Sequence, residues 1–210
     1  MSSPRACGLS SPLIFATIGI IAVCLLAGCS TILHVEPKEA APLPVASVPS
    51  GAVAVLGSIT VISDSELKVT KHTETEQRVS LKYALKDTGL FALVTDVPPE
   101  RSKGVILDIR LREYAAYPGH TARAILIGAT FLLAAPFVSF TIEYDEAIII
   151  TAHRWDGASH EFVGDARGRL TTSLAGLSSE RALIDIVHQR ALRAAMADML
   201  NHTEYFSANP

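Results

Sequence analysis

The chain has 210 residues, 49% of them hydrophobic and 19% charged, with a formal charge of −3 and no run of five basic residues. This composition is too apolar for a disordered chain and carries no electrostatic footprint for nucleic acid. Its length allows one domain with a real core, or at most two small ones.

Arg5 is the sole charged residue before position 36, residues 13–25 are an apolar stretch, and Ala27 and Gly28 are small residues ahead of a cysteine. That order is the one a secretory signal and its cleavage site show. The run Leu26-Ala27-Gly28-Cys29 resembles the lipobox of bacterial lipoproteins. The resemblance implies that residues 1–28 are removed and that Cys29, the new first residue, is coupled to diacylglycerol and acylated on its amino group. Each buried methylene adds about 0.8 kcal/mol, so two or three acyl chains hold firmly where one would not. Ser30 stands where, in that family, an Asp retains the protein in the inner membrane, so the resemblance implies the periplasmic face of the outer membrane. Cys7 and Cys24 leave with the signal and Cys29 is consumed by lipid, so on this reading no disulfide and no cysteine-based metal site remain.

Residues 29–50 hold Pro37, Pro42, Pro44 and Pro49 among Ala, Val and Ser, the composition of an extended tether. About 20 such residues reach about 60 Å at polyproline rise. The alternative is that part of this stretch packs on the domain as an edge strand through Leu43, Val45 and Val48. A single domain over residues 51–210 follows, with an apolar insert at about 122–142.

Residues 51–62 are β-branched and nearly uncharged, which predicts a strand buried on both faces near the sheet centre. Residues 73–86 predict a helix with Val79, Tyr83 and Leu85 or Lys86 on neighbouring turns, Glu74 and Glu76 at its positive end and Gly89 beyond its close. A strand over 90–95 follows. Residues 105–114 alternate strictly, with Val105, Leu107, Ile109 and Leu111 on one side and Asp108, Arg110 and Arg112 on the other. Residues 142–155 and 159–170 predict a hairpin turning at Asp156-Gly157. Phe162, Gly164, Ala166, Gly168 and Leu170 share the covered side of its return strand, where small residues admit a close helix, and Asp165, Arg167 and Arg169 point away. Ser178 or Ser179 opens a final helix, 180–202, with Ile184, Val187, Ala191, Ala194 or Ala195, and Met199 in one stripe.

The summed order βαββ, apolar insert, ββα predicts an α+β domain, a mostly antiparallel sheet with helices on one face. Residues 83–94, a helix ending in Gly89 and feeding a strand through Phe91, resemble a segment of small periplasmic accessory lipoproteins, among them activators of cell-wall synthases and secretion or polysaccharide-export accessories. The resemblance implies a protein-binding role and assigns no functional residue.

Residues 124–142 are 19 uncharged residues, long enough to span a bilayer as a helix. Crossing would part the hairpin from its partner strands, and the flanking charges, Arg123 before and Glu143, Asp145 and Glu146 after, have the wrong polarity. Two readings stay open: a core segment broken at Pro136, or an exposed projection that meets membrane or a partner through Ile125, Leu126, Ile127, Phe131, Leu132, Leu133 and Phe137.

Chemistry is sparse. No metal motif joins the seven histidines, although a two-residue turn at 156–157 would set His153 opposite His160. No nucleophile motif is present, and Ser173, Asp185 and His188 have the wrong spacing for a triad. Glu143, Asp145 and Glu146 read as a solvated strand edge. Neither metal nor other cofactor is expected. If the two charged strands are neighbours, Asp108, Arg110, Arg112, Asp165, Arg167 and Arg169 form a cross-strand ladder, and Arg110, Arg112, Arg167 and Arg169 a docking face. The expected function is that of a lipid-anchored, non-catalytic accessory protein of the outer membrane that binds an envelope protein or a second copy of itself. The alternative is a membrane-inserting component of an export or transport assembly acting through residues 124–142.

Overall fold

Alternation of inward and outward side chains builds the three longest strands, and two helices cover the inward side of the sheet they make. The computed structural model describes residues 31–36, 42, 45–47, 49–64, 72–97, 104–130, 138–173 and 179–207. In chain order the elements are β1 (Ile32–Glu36), β2 (Val53–Ser63), α1 (Glu74–Asp87), β3 (Leu93–Thr95), β4 (Gly104–Ala116), α2 (His120–Ala129), β5 (Ser139–His153), β6 (Ser159–Ser173) and α3 (Glu180–Asn201), closed by a 3₁₀ turn, Thr203–Phe206. The class is α+β. The observed order adds a first strand, β1, and a short helix, α2, to the elements expected.

The six strands lie in the order β1-β6-β5-β4-β2-β3. β1, β6, β5 and β4 pair antiparallel, whereas β2 runs parallel to both β4 and β3. The sheet is therefore mixed, because α1 carries the chain back from the end of β2 to the start of β3. Nor is β2 central as expected: it lies beside the three-residue edge strand β3. Both of its faces are buried only over residues 53–56.

β1 falls within the stretch expected to be tether. Val35 is buried, and Arg190 Nη1 donates to its carbonyl at 2.8 Å, so this stretch is docked rather than free. Beyond β1, Asp198 Oδ2 accepts the Val163 backbone N–H at 3.0 Å and blunts the exposed edge of β6.

Thr73 and Glu76 form a capping box that starts α1, and Gly89 (φ 64°) takes the left-handed conformation just past its end. The buried stripe of α1 is Gln77, Leu81, Ala84 and Leu85, while Val79 and Tyr83 are exposed. Of the residues expected on neighbouring turns only Leu85 is buried, because the i, i+4, i+7, i+8 set outweighs two isolated apolar residues. In α3 the buried stripe includes Leu183, Ile184, Val187, His188, Ala191, Ala195 and Met199. A Cβ on Gly164 would lie 2.2 Å from both the Ala191 carbonyl oxygen and the Ala195 nitrogen, so only glycine admits this helix.

The apolar insert is divided between two elements: α2 ends at Ala129, and β5 begins at Ser139 and buries Phe140 and Ile142. Among the described residues no helix is long and apolar enough to cross a membrane. The hairpin register also differs from expectation. His153 pairs with Ser159 and Ala152 with His160, around a turn closed by the Arg154 N–H on the Ala158 carbonyl, with Gly157 at φ 86°.

Candidate functional site

Two surfaces carry polar side chains that folding alone does not explain: a buried centre beneath the helices, and the uncovered face of the sheet. The buried centre begins with alternation. On β5 the inward residues run Phe140, Ile142, Tyr144, Glu146, Ile148, Ile150, and on β4 Leu107, Ile109, Leu111, Glu113, Ala115. Each strand thus turns one carboxylate into the core, and the register sets Glu113 directly opposite Glu146. The residue exposures are 1% and 2%.

Two imidazoles meet these carboxylates. His188, on the buried stripe of α3, donates from Nδ1 to Glu146 Oε1 at 2.6 Å. His72, one residue before the N-cap of α1, places Nε2 3.5 Å from Glu146 Oε2, and its backbone N–H donates to Glu113 Oε1 at 3.1 Å. The two rings are in contact, tilted by 40° with centroids 4.6 Å apart. Tyr144 Oη donates to Glu146 Oε2 at 3.0 Å.

Burial pushes the Glu146 pKa up, but the hydrogen bond with His188 and the close His72 imidazole outweigh it and hold the carboxyl below its ordinary range. For His72 burial pulls the other way, and the close Glu146 carboxylate, with the charges of Glu113 and Glu76, leaves its pKa raised. Burial first, and then the charges of Glu146 and Glu113, push the Tyr144 phenol far up, so it stays a donor. The group is a polar cluster held by hydrogen bonds from His188 and Tyr144 and sealed from water on the sheet side.

On the helix side it opens. A cleft of about 740 Å³ is bounded by His72, Gln77, Glu76, Glu180, Asp185 and His188, with Arg181 and others completing its wall. Glu146 lies behind the two rings. His72, Glu146 and His188 each offer one ligand atom, and the three atoms lie within 4.8 Å of one another.

Sequence reading missed this centre. Glu146 was grouped with Glu143 and Asp145 as a solvated edge, but strand alternation sends those two outward and Glu146 inward. The signal was available in the inward run 140–150, in the continuation of β4 to Glu113, and in the α3 stripe that includes His188. His72 carries no such periodic mark. Of the pairings weighed, His153 does not face His160: His160 packs instead against Phe162, His202 and Tyr205, because the register is one residue shorter than a two-residue turn requires.

The uncovered face places the predicted arginines differently from a direct ladder. Arg110 and Arg112 lie on β4, Arg167 and Arg169 on β6, and β5 separates them. Each strand pairs with other partners: Arg169 with Glu143 at 2.6 Å, Arg112 with Asp64 at 3.2 Å, and Asp108 with His153 at 3.2 Å. Arg167 stands beside Asp145. Among these charges Leu93, Ile106, Tyr114 and Val163 are exposed apolar side chains of the same face. In the insert, Ile125 and Leu126 are exposed but Ile127 is buried, because one side of α2 packs down. Cys29, Ser30, Phe131, Leu132, Leu133 and Phe137 lie outside the described residues.

No protein-family model matches the chain, and no curated protein matches it. Among solved structures, a PelC variant dodecamer from Paraburkholderia phytofirmans aligns over 86% of this chain and 100% of that one, at 10% identity and a TM-score of 0.26. A likeness that loose carries no argument about fold or role.

Proposed function

We propose that the chain is a lipid-anchored, non-catalytic accessory protein of the bacterial outer membrane that holds an envelope protein against the uncovered face of its sheet. The observation that carries this reading is the asymmetry of the sheet. Helices seal one face, while the other leaves Leu93, Ile106, Tyr114 and Val163 exposed among charges of both signs. Exposed apolar side chains grouped on one face and rimmed by polar residues mark interaction surfaces.

The charge pattern selects the partner class. Arg169 and Arg112 are already paired with acids, and the face also carries Asp108, Asp145, Glu161 and Asp165, so it presents no basic tract for an anionic polymer. A protein surface with apolar and mixed polar groups fits it. Lipid anchoring rests on the apolar run before Leu26-Ala27-Gly28-Cys29 and on Ser30.

Two measurements test the reading. Labelled palmitate should enter the protein and be lost in Cys29→Ala. A photo-crosslinking residue in place of Val163, on the uncovered face, should capture one envelope protein in intact cells, whereas the same residue in place of Val79, on the outer side of α1, should not. Capture of a second copy alone would replace the partner by self-association, and equal capture at both positions would remove the face from the argument.

A further inference from the structure

We propose that His72, Glu146 and His188 bind one divalent transition-metal ion of the zinc class, with the ion tying the segment ahead of α1 and helix α3 to strand β5. The proposal stands on geometry and is independent of the docking role. The three ligand atoms lie within 4.8 Å of one another, and they come from three separate parts of the chain. Tetrahedral coordination with bonds of about 2.0–2.1 Å requires ligand atoms about 3.3 Å apart. The His72 Nε2 to Glu146 Oε2 distance is 3.5 Å, too long for a sound hydrogen bond and close to that edge.

A second observation points to a ligand. Nε2 of His72 and Nε2 of His188 are both buried, and neither has a hydrogen-bond partner. The His188 side chain is only 10% exposed. A buried polar atom left without a partner is costly, and two in contacting rings beside one carboxylate are not explained by packing. An imidazole nitrogen without a proton is a metal ligand, and an ion also answers the other difficulty of the site, two carboxylates in register on neighbouring strands.

The donor set selects the metal class. Two imidazoles with one carboxylate suit zinc and its first-row neighbours, whereas magnesium and calcium take oxygen ligands. Glu146 itself is supported by the Tyr144 hydroxyl, the kind of outer hydrogen bond that orients a metal-binding carboxylate. The cleft supplies access and sign, since Glu76, Glu180 and Asp185 line it against the one guanidinium of Arg181.

The experiment uses the full chain purified in detergent, stripped with chelator, and titrated with Zn²⁺ by calorimetry and with Co²⁺ by visible absorption. One ion per chain should bind, with the strong absorption of tetrahedral cobalt, and should raise the Tm. His188→Ala and His72→Ala should each weaken binding by at least about 100-fold, while His160→Ala, on the hairpin, should bind as the parent does. Circular dichroism checks folding. Should His188→Ala not fold, His72→Gln keeps the side-chain volume near the cleft and carries the test. Absence of binding by the stripped parent, or undiminished binding in the folded His72 or His188 variants, would overturn the proposal.

Discussion

Glu113 and Glu146 face each other as registered partners across β4 and β5, both turned into the helix-covered core and both almost fully buried. Like charges directly opposite on neighbouring strands are destabilising unless other groups compensate. Here the compensation is local. Glu113 accepts the His72 backbone N–H, whereas Glu146 accepts from His188 Nδ1 and Tyr144 Oη and lies beside the His72 ring. Three separate segments must be in place before the pair is tolerable.

Truncating the acceptor should expose that dependence. In metal-free protein, Glu146→Leu strips the partner from two buried donors and should lower unfolding stability by about 3–5 kcal/mol in urea titration. Glu146→Gln keeps an acceptor oxygen at nearly the same volume and should lose about 1–3 kcal/mol. Adding His188→Leu to Glu146→Leu should cost less than the sum of the two single losses. Strict additivity would mean that the two side chains are not coupled.

The approach of α3 to β6 gives a steric prediction. A methyl group on Gly164 would collide with backbone atoms of Ala191 and Ala195, which cannot turn aside. One on Gly168 would meet the side-chain carbons of Leu183, at 2.5 Å, and Val187, at 2.8 Å, which can. Gly164→Ala should therefore cost about 3 kcal/mol or more and Gly168→Ala about 1 kcal/mol, read as shifts of the urea midpoint. The reverse ranking would contradict the packing described.

At the hairpin tip, hydrogen bonds from Arg154, then from the Ala158 backbone N–H, hold the Asp156 carboxyl down to about 2. Because the folded value lies below the ordinary 3.8, this group's stabilisation is complete above the ordinary carboxylate range and is lost as pH falls through about 2. Carboxyl-carbon NMR should place the Asp156 midpoint near the lower value. In Arg154→Ala it should move back toward 3.8, and an unmoved midpoint would remove the guanidinium as the cause.

Thr73 caps α1 next to His72, accepting the Glu76 N–H at 3.2 Å while Glu76 Oε2 accepts the Thr73 N–H at 3.1 Å. Thr73→Ala should cost about 1 kcal/mol by thermal unfolding, and Thr73→Ser should cost far less. Equal losses in the two variants would show that the hydroxyl is not what matters.

The legible part of this protein is the part written in local periods. Alternation along residues 105–114 separated inward from outward side chains, Asp156-Gly157 marked the hairpin, and Gly164 with Gly168 announced close contact with a helix. The same rule, carried two residues further on β4 and applied within 140–150, places Glu113 and Glu146 inside, so that half of the buried centre was present in the pattern. The stripe of α1 went wrong because Val79 and Tyr83 are apolar without being buried, a choice made by neighbours and not by the helix itself.

What the sequence determined alone, then, is which side of β4 and β6 faces inward and, to within a residue, where α1 and α3 begin and end, since each depends on residues within a few positions of one another. Which strands adjoin beyond that hairpin was decided only in three dimensions. The parallel placement of β2, the insertion of β5 between the arginine-bearing strands, and the meeting of His72, Glu146 and His188 depend on pairings between residues up to 116 positions apart. Periodicity fixes a direction for each side chain but holds no information about the partner it meets there, which is set by the crossover of α1 and the register of the sheet.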